Sequence, residues 1–167
     1  FKKRALVLSI THSQTKSYDF VRSIENELKQ VEIEGYSIYY VNETNFNELY
    51  QEIFVERVYA FKSDKEAPII FDCGSNIGMA VLFFKKLFPY SKITCFEPDP
   101  NAYFILSKNV EVNKLKDVTL INAALSKEEG EIEFFGEFFG SQPNSLGNSA
   151  VREWGDRGYT DKIKVNS

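Results

Sequence analysis

The chain has 167 residues, about one domain's worth, of which 43% are hydrophobic and 26% charged, as in an ordinary globular protein. That composition excludes intrinsic disorder, collagen-like repetition and a disulfide-knit miniprotein. A net charge of −4, from 20 basic and 24 acidic residues without a basic block, leaves no electrostatic footprint for nucleic acid.

The longest apolar run, Met79–Phe84, has six residues, whereas a membrane span takes about twenty, so no transmembrane helix and no membrane partner are expected. Two cysteines are too few for a disulfide framework and read as reduced thiols, which points to the cytoplasm. There is no initiator Met and no signal-peptide pattern at Phe1, and the chain reads as an internal piece of something longer.

Residues 1–60 read as an N-terminal helix and strand extension. Ala5–Ile10 has strand length and Thr11–Lys16 is loop-like. Phe20, Val21, Ile24, Leu28 and Val31 recur at steps of three and four, predicting an amphipathic helix over Tyr18–Val31. Tyr36–Val41 predicts a strand, Asn45–Glu52 a short helix and Ile53–Tyr59 a further strand.

Residues 61–167 carry a clearer pattern. Ala67–Asp72 is a continuous apolar strand closed by a carboxylate, as in a strand buried on both faces. Gly74–Gly78 is a tight turn, and Ile77–Phe88 predicts a helix, apolar on nearly all sides apart from Lys85 and Lys86, that Pro89 stops. Ile93–Phe96 predicts a strand ending at Glu97. Asp99 as N-cap with Pro100 behind it starts a helix running to about Asn113. Val118–Ala123 is the third strand, and this alternation implies right-handed crossovers and a parallel sheet. Ile132–Phe135 and Ile163–Val165 look like strands of an added antiparallel hairpin, with Gly136–Ala150 between them loop-like, either a substrate loop or an excursion.

The chemistry concentrates in Phe71-Asp-Cys-Gly-Ser-Asn-Ile-Gly78 and Cys95-Phe-Glu-Pro-Asp99. A glycine-rich turn from strand into helix lets ligand atoms approach backbone N–H groups near the positive end of a helix. Gly74 and Glu97 lie 23 positions apart, close to the spacing of about twenty at which a second-strand carboxylate meets a ribose. The dinucleotide fingerprint G-x-G-x-x-G would need glycines where Asn76 and Met79 stand, and a side chain at Asn76 obstructs a pyrophosphate. The pattern present, D-x-G-x-x-x-G over Asp72, Gly74 and Gly78, suits a nucleoside bearing an amino acid, which describes S-adenosylmethionine. A plain tight turn with close helix–sheet packing is the bland alternative for the two glycines. Asp72 either bonds the turn itself or faces the ligand's amino group.

With Asn109-Val-Glu-Val-Asn113, Asn122-Ala-Ala-Leu-Ser126, Glu52-Ile-Phe54 and Tyr59, these blocks resemble the FkbM-type methyltransferases, over roughly residues 52–135. The resemblance implies a Rossmann-like class I fold, α/β with a parallel sheet. Residues 61–167 would be the N-terminal half of that domain, cut after the third βα unit and followed by the added hairpin. It implies S-adenosylmethionine as cofactor and O-methylation of a sugar or other natural-product hydroxyl, with a small-molecule or glycan acceptor. The cofactor-binding residues are then Asp72, Cys73, Gly74, Ser75, Asn76, Gly78, Glu97 and Pro98, with Asn122 and Ala123 beside the adenine. No catalytic base is assigned and no metal is expected.

A nicotinamide-dependent oxidoreductase fragment and a non-catalytic binding module are the competing readings. Asn109 and Asn113 read as caps of a helix end, Cys95 as a small buried residue, and Phe83, Phe84 and Phe88 as packing. His12, alone in a polar stretch, has no local support for catalysis. A three-strand order of 3-2-1, implied by the resemblance, leaves strand 67–72 as an open edge for N-terminal residues, absent C-terminal sequence or a second copy to cover.

Overall fold

The computed structural model describes residues 24–127, 130–137, 144–149 and 161–166. The predicted strand at Ala5–Ile10, the loop after it, His12 and the start of the first predicted helix lie outside those residues. Within them, helix ends at Glu25, and the stretch expected to continue it is β1, Lys29–Ile33, paired antiparallel with β2, Tyr36–Tyr40. Val31 fits the 3.6 period of Ile24 and Leu28 and, equally, the period of two that it shares with Ile33. The Glu34-Gly35 turn between the strands, with φ of 59° and 84°, is the two-residue geometry that closes hairpins.

Helix α1, Glu43–Tyr50, is capped by Asn42, whose side chain accepts the Asn45 N–H. It runs on into a π-helical turn over Gln51–Val55, where a strand is predicted over Ile53–Tyr59. Phe46, Leu49 and Ile53 are buried at steps of three and four, so one continuing helical face decides the conformation. Stacked rings carry this segment across the core, from Tyr40 through Phe46 and Tyr50 to Phe54, whose ring meets Phe83 edge-on at 5.5 Å.

The remainder follows the strand–helix alternation. β3 (Ile69–Cys73), α2 (Met79–Leu87), β4 (Lys92–Phe96), α3 (Pro100–Val112) and β5 (Val118–Ile121) build a parallel sheet of order β3-β4-β5, the α/β arrangement expected. Asp72 pairs with Cys95 and Cys73 with Phe96, so both site-bearing strand ends lie side by side. α2 is buried from Met79 through Lys85 because the aromatic segment covers the side away from the sheet. The Lys85 amino group meets that burial by donating to the Ser91 carbonyl. Phe83, Phe84 and Phe88 pack against Phe54 and Phe61 as expected.

A third sheet pairs β6 (Glu131–Glu137) antiparallel with β8 (Asp161–Asn166), the expected hairpin partners. Asn144–Ser149 is not loop: it forms β7 on the other side of β6, with a register shift between Phe135 and Glu137. The backbone of β6 supplies hydrogen-bond partners that override the Gly, Ser and Asn content of the segment. Among the described residues no helix is long and apolar enough to cross a membrane.

Candidate functional site

The site lies at the carboxyl ends of β3 and β4, where an open parallel sheet offers its crevice. Asp72 shares a sheet face with buried Ile70 and Cys95. Its Oδ2 is buried with no hydrogen-bond partner, and burial pushes the carboxyl above its ordinary range, with the Ser75 hydroxyl pulling the other way. Buried Ser75 donates its hydroxyl to the Asp72 carbonyl at 3.0 Å. Cys73 is exposed and free, on the sheet face opposite Asp72. Cys95 is buried, and burial pushes its thiol up to about 12, which suits the inert packing role expected.

The turn satisfies its own backbone. Gly74 and Ser75 N–H groups both donate to the Phe96 carbonyl at 2.8 and 3.0 Å, and the Gly78 N–H donates to the Ser75 carbonyl. Asn76, left-handed at φ 50°, donates its N–H to Glu97 Oε2 at 2.7 Å. Its own side chain accepts the Ile77 N–H. Every N–H from Gly74 to Gly78 thus has an acceptor inside the protein, so the expectation that the turn presents free donors is corrected. The unpartnered polar atom at the end of β3 is instead Asp72 Oδ2.

The two glycines differ. Both have φ near +90°, which disfavours any side chain. A Cβ on Gly74 would meet nothing within 4 Å, whereas one on Gly78 would stand 2.7 Å from Leu106 Cδ1. Gly74 therefore marks the open side of the turn, and Gly78 lets α2 start close against α3.

Glu97, 5% exposed, accepts the Asn76 N–H on one oxygen and the Asp99 N–H on the other at 2.8 Å. Burial raises its carboxyl to about 8, opposed by those N–H groups and reinforced by the charges of Asp99 and Asp72. Pro98 is buried next to it. Asp99 caps α3 as predicted, accepting the Asn101 N–H, with Pro100 at the first helical position. Asn122, expected beside a base, reaches back to donate to the Glu97 carbonyl at 2.7 Å and the Pro98 carbonyl at 3.4 Å. It braces the turn that carries Glu97. Half-buried Ala123 follows it at the end of β5.

Asp72, Gly74, Ser75, Asn76, Glu97, Pro98 and Asn122 therefore come together. Asn113 caps the end of α3 as expected, donating its side-chain amide to the Asn109 carbonyl at 2.8 Å, whereas Asn109 lies inside the helix. Both also bind β2 through their side-chain amides, and Asn109 holds the Ile77 carbonyl of the turn. The available signal was their place on the buried stripe of α3, at the spacing set by Ala102 and Leu106. Among the described residues no cluster of three or more His, Cys, Asp or Glu is placed to hold a metal.

No protein-family model matches the chain. Methyltransferase sdnD of Sordaria araneosa is 32% identical over 130 residues, 77% of this chain and 48% of that protein. The 31-O-demethyl-FK506 methyltransferase FkbM of Streptomyces tacrolimicus is 35% identical over 77 residues, 45% of this chain and 30% of that protein. This chain thus spans about half the length, or less, of the curated relatives it matches. The crystal structure of P. horikoshii TYW2 in complex with MeSAdo is 18% identical, covering 63% of this chain and 39% of that one at a TM-score of 0.46.

Proposed function

We propose that this chain, a relative of the FkbM-type methyltransferases, carries the cofactor-binding part of an S-adenosylmethionine-dependent enzyme that methylates a hydroxyl oxygen. The acceptor is a sugar, a glycan or another small molecule. The observation that carries the reading is Asp72 Oδ2, buried without a partner two residues before Gly74, where an added Cβ would meet nothing within 4 Å. A buried carboxylate oxygen is costly unless a donor reaches it, and the ammonium of an amino acid is such a donor. A pyrophosphate is the wrong ligand there: it needs free N–H groups, and it would be repelled by Asp72.

When bound, S-adenosylmethionine supplies a methyl group already activated on a sulfonium, so the protein's task is positioning. Asp72 receives the amino group. Each Glu97 oxygen has a second lone pair beyond the one used by Asn76 or Asp99, and these accept the ribose hydroxyls. Asn122 holds the Glu97 backbone so that the carboxylate keeps its direction. The reading places the chain in a reducing cytoplasm, where Cys73 and Cys95 stay thiols.

Calorimetry with the 167-residue chain tests this directly. S-adenosylhomocysteine should bind, Glu97→Ala should weaken it, and NADH should not compete. Binding of NADH without binding of S-adenosylhomocysteine would overturn the reading in favour of a nicotinamide enzyme.

A further inference from the structure

Asn109 sits on α3 with 1% of its surface exposed and makes three side-chain hydrogen bonds. Its Oδ1 accepts the Tyr39 N–H at 2.6 Å, and its Nδ2 donates to the Tyr39 carbonyl at 3.0 Å and to the Ile77 carbonyl at 2.8 Å. One turn later Asn113 treats Ser37 the same way, accepting its N–H at 2.9 Å and donating to its carbonyl at 2.7 Å.

The spacing explains the pairing. Four helical residues advance about 6 Å, and two strand residues advance about 6.8 Å. Asparagines four apart on a helix therefore match alternate residues on the edge of a strand. Their amides act as a surrogate strand for the side of β2 that faces away from β1. Asn109 alone extends this ladder to the glycine turn. It grips the Ile77–Gly78 peptide, and Leu106, three residues before it, packs against Gly78.

We infer that Asn109 is a positioning residue for the cofactor turn, coupling the β1–β2 hairpin to the peptide between Ile77 and Gly78. The coupling itself stands on hydrogen bonds, while its effect on a ligand rests on the reading above. Asn113 is the internal control: it docks the same hairpin and donates to the Asn109 carbonyl at 2.8 Å, but makes no hydrogen bond to the turn.

The test titrates S-adenosylhomocysteine into the 167-residue chain carrying Asn109→Ala or Asn113→Ala, with thermal melting alongside. Asn113→Ala should melt earlier and keep its affinity within about twofold, because its side chain bonds the hairpin and the Asn109 carbonyl but not the turn. Asn109→Ala should lose about tenfold, the scale of one buried hydrogen bond. Equal losses in both variants, or none in a folded Asn109→Ala, would overturn the inference.

Native-state hydrogen exchange on the wild type supplies a readout without ligand or mutation. The Tyr39 and Gly78 amides should exchange through one shared opening, and separate openings would refute the coupling. Failure of the wild type to bind S-adenosylhomocysteine, with that shared opening intact, would refute the proposed function alone.

Discussion

Glu97 Oε2 accepts the backbone N–H of Asn76 at 2.7 Å, so the carboxylate closing β4 fixes the turn that leaves β3. Its other oxygen takes the Asp99 N–H, two residues along its own chain. One buried side chain thereby organises both turns of the site. The same group is the one proposed to meet a ribose, so its charge state links fold stability to ligand affinity.

Stability should fall as pH rises from about 4.5 to about 8. Glu97 titrates near 8 when folded, against an ordinary value near 4.5, so the folded chain holds this proton more tightly than the unfolded chain does. The contribution is full below the unfolded value and is lost as pH climbs to the folded one. Asp72, also raised by burial, acts in the same direction. Each tenfold change in proton affinity is worth about 1.4 kcal/mol, so urea midpoints should drop measurably between pH 5 and pH 8.5. Glu97→Gln should flatten most of that slope; an equally steep profile in the variant would place the titration elsewhere.

Ligand binding should release a proton near neutral pH. Ribose hydroxyls that donate to Glu97 favour its carboxylate form, so the bound site holds this proton less tightly than the free site. Affinity for S-adenosylhomocysteine should then rise with pH and level off above about 8, since that is the free-site value. Calorimetry at pH 7 in buffers of different ionisation enthalpy counts the proton. No buffer dependence would mean that the sugar leaves Glu97 alone.

Most of the site was readable because backbone needs and side-chain chemistry coincide there. The apolar run before Asp72, the Gly74 turn and the Asp99-Pro100 helix start each admit one conformation. The end of the first predicted helix is strand because Val31 satisfies two periods at once, with Leu28 on a helix or with Ile33 on a strand, and the Glu34-Gly35 turn decides between them. The occupied N–H groups of the turn depend on Glu97 and Phe96 arriving from another strand, which no local window shows. Asn113 does cap the end of α3, but the docking of Asn109 and Asn113 on β2 was hidden for a related reason: only the tertiary placement of β2 gives their amides that further work.

Replacing each glycine by alanine should separate packing from ligand space. Gly78→Ala adds a methyl 2.7 Å from Leu106 Cδ1, and Leu106 is fully buried. Left-handed strain of ~1–2 kcal/mol and overpacking of ~1–3 kcal/mol both apply. Gly74→Ala carries the strain alone, since its methyl meets nothing within 4 Å. In chemical denaturation Gly78→Ala should therefore lose more stability. In titration with S-adenosylhomocysteine, Gly74→Ala should lose more affinity per unit of stability lost. The opposite order in both assays would mean that the ligand approaches from the α3 side of the turn.

The 167-residue chain should self-associate through β3. A parallel sheet ordinarily has both faces covered, yet Ile69 and Phe71 point to the same face and are 69% and 66% exposed. Among the described residues β3 is also an outer strand of its sheet, and an outer strand edge is a template for pairing with another chain. Sedimentation should show dimers or larger species that increase with concentration. Ile69→Lys with Phe71→Lys should shift the distribution to monomer while changing stability by less than ~1 kcal/mol, because both side chains already face water. A strictly monomeric wild type at high concentration would rule out this contact, and loss of folding in the double variant would show that these residues pack within the chain itself.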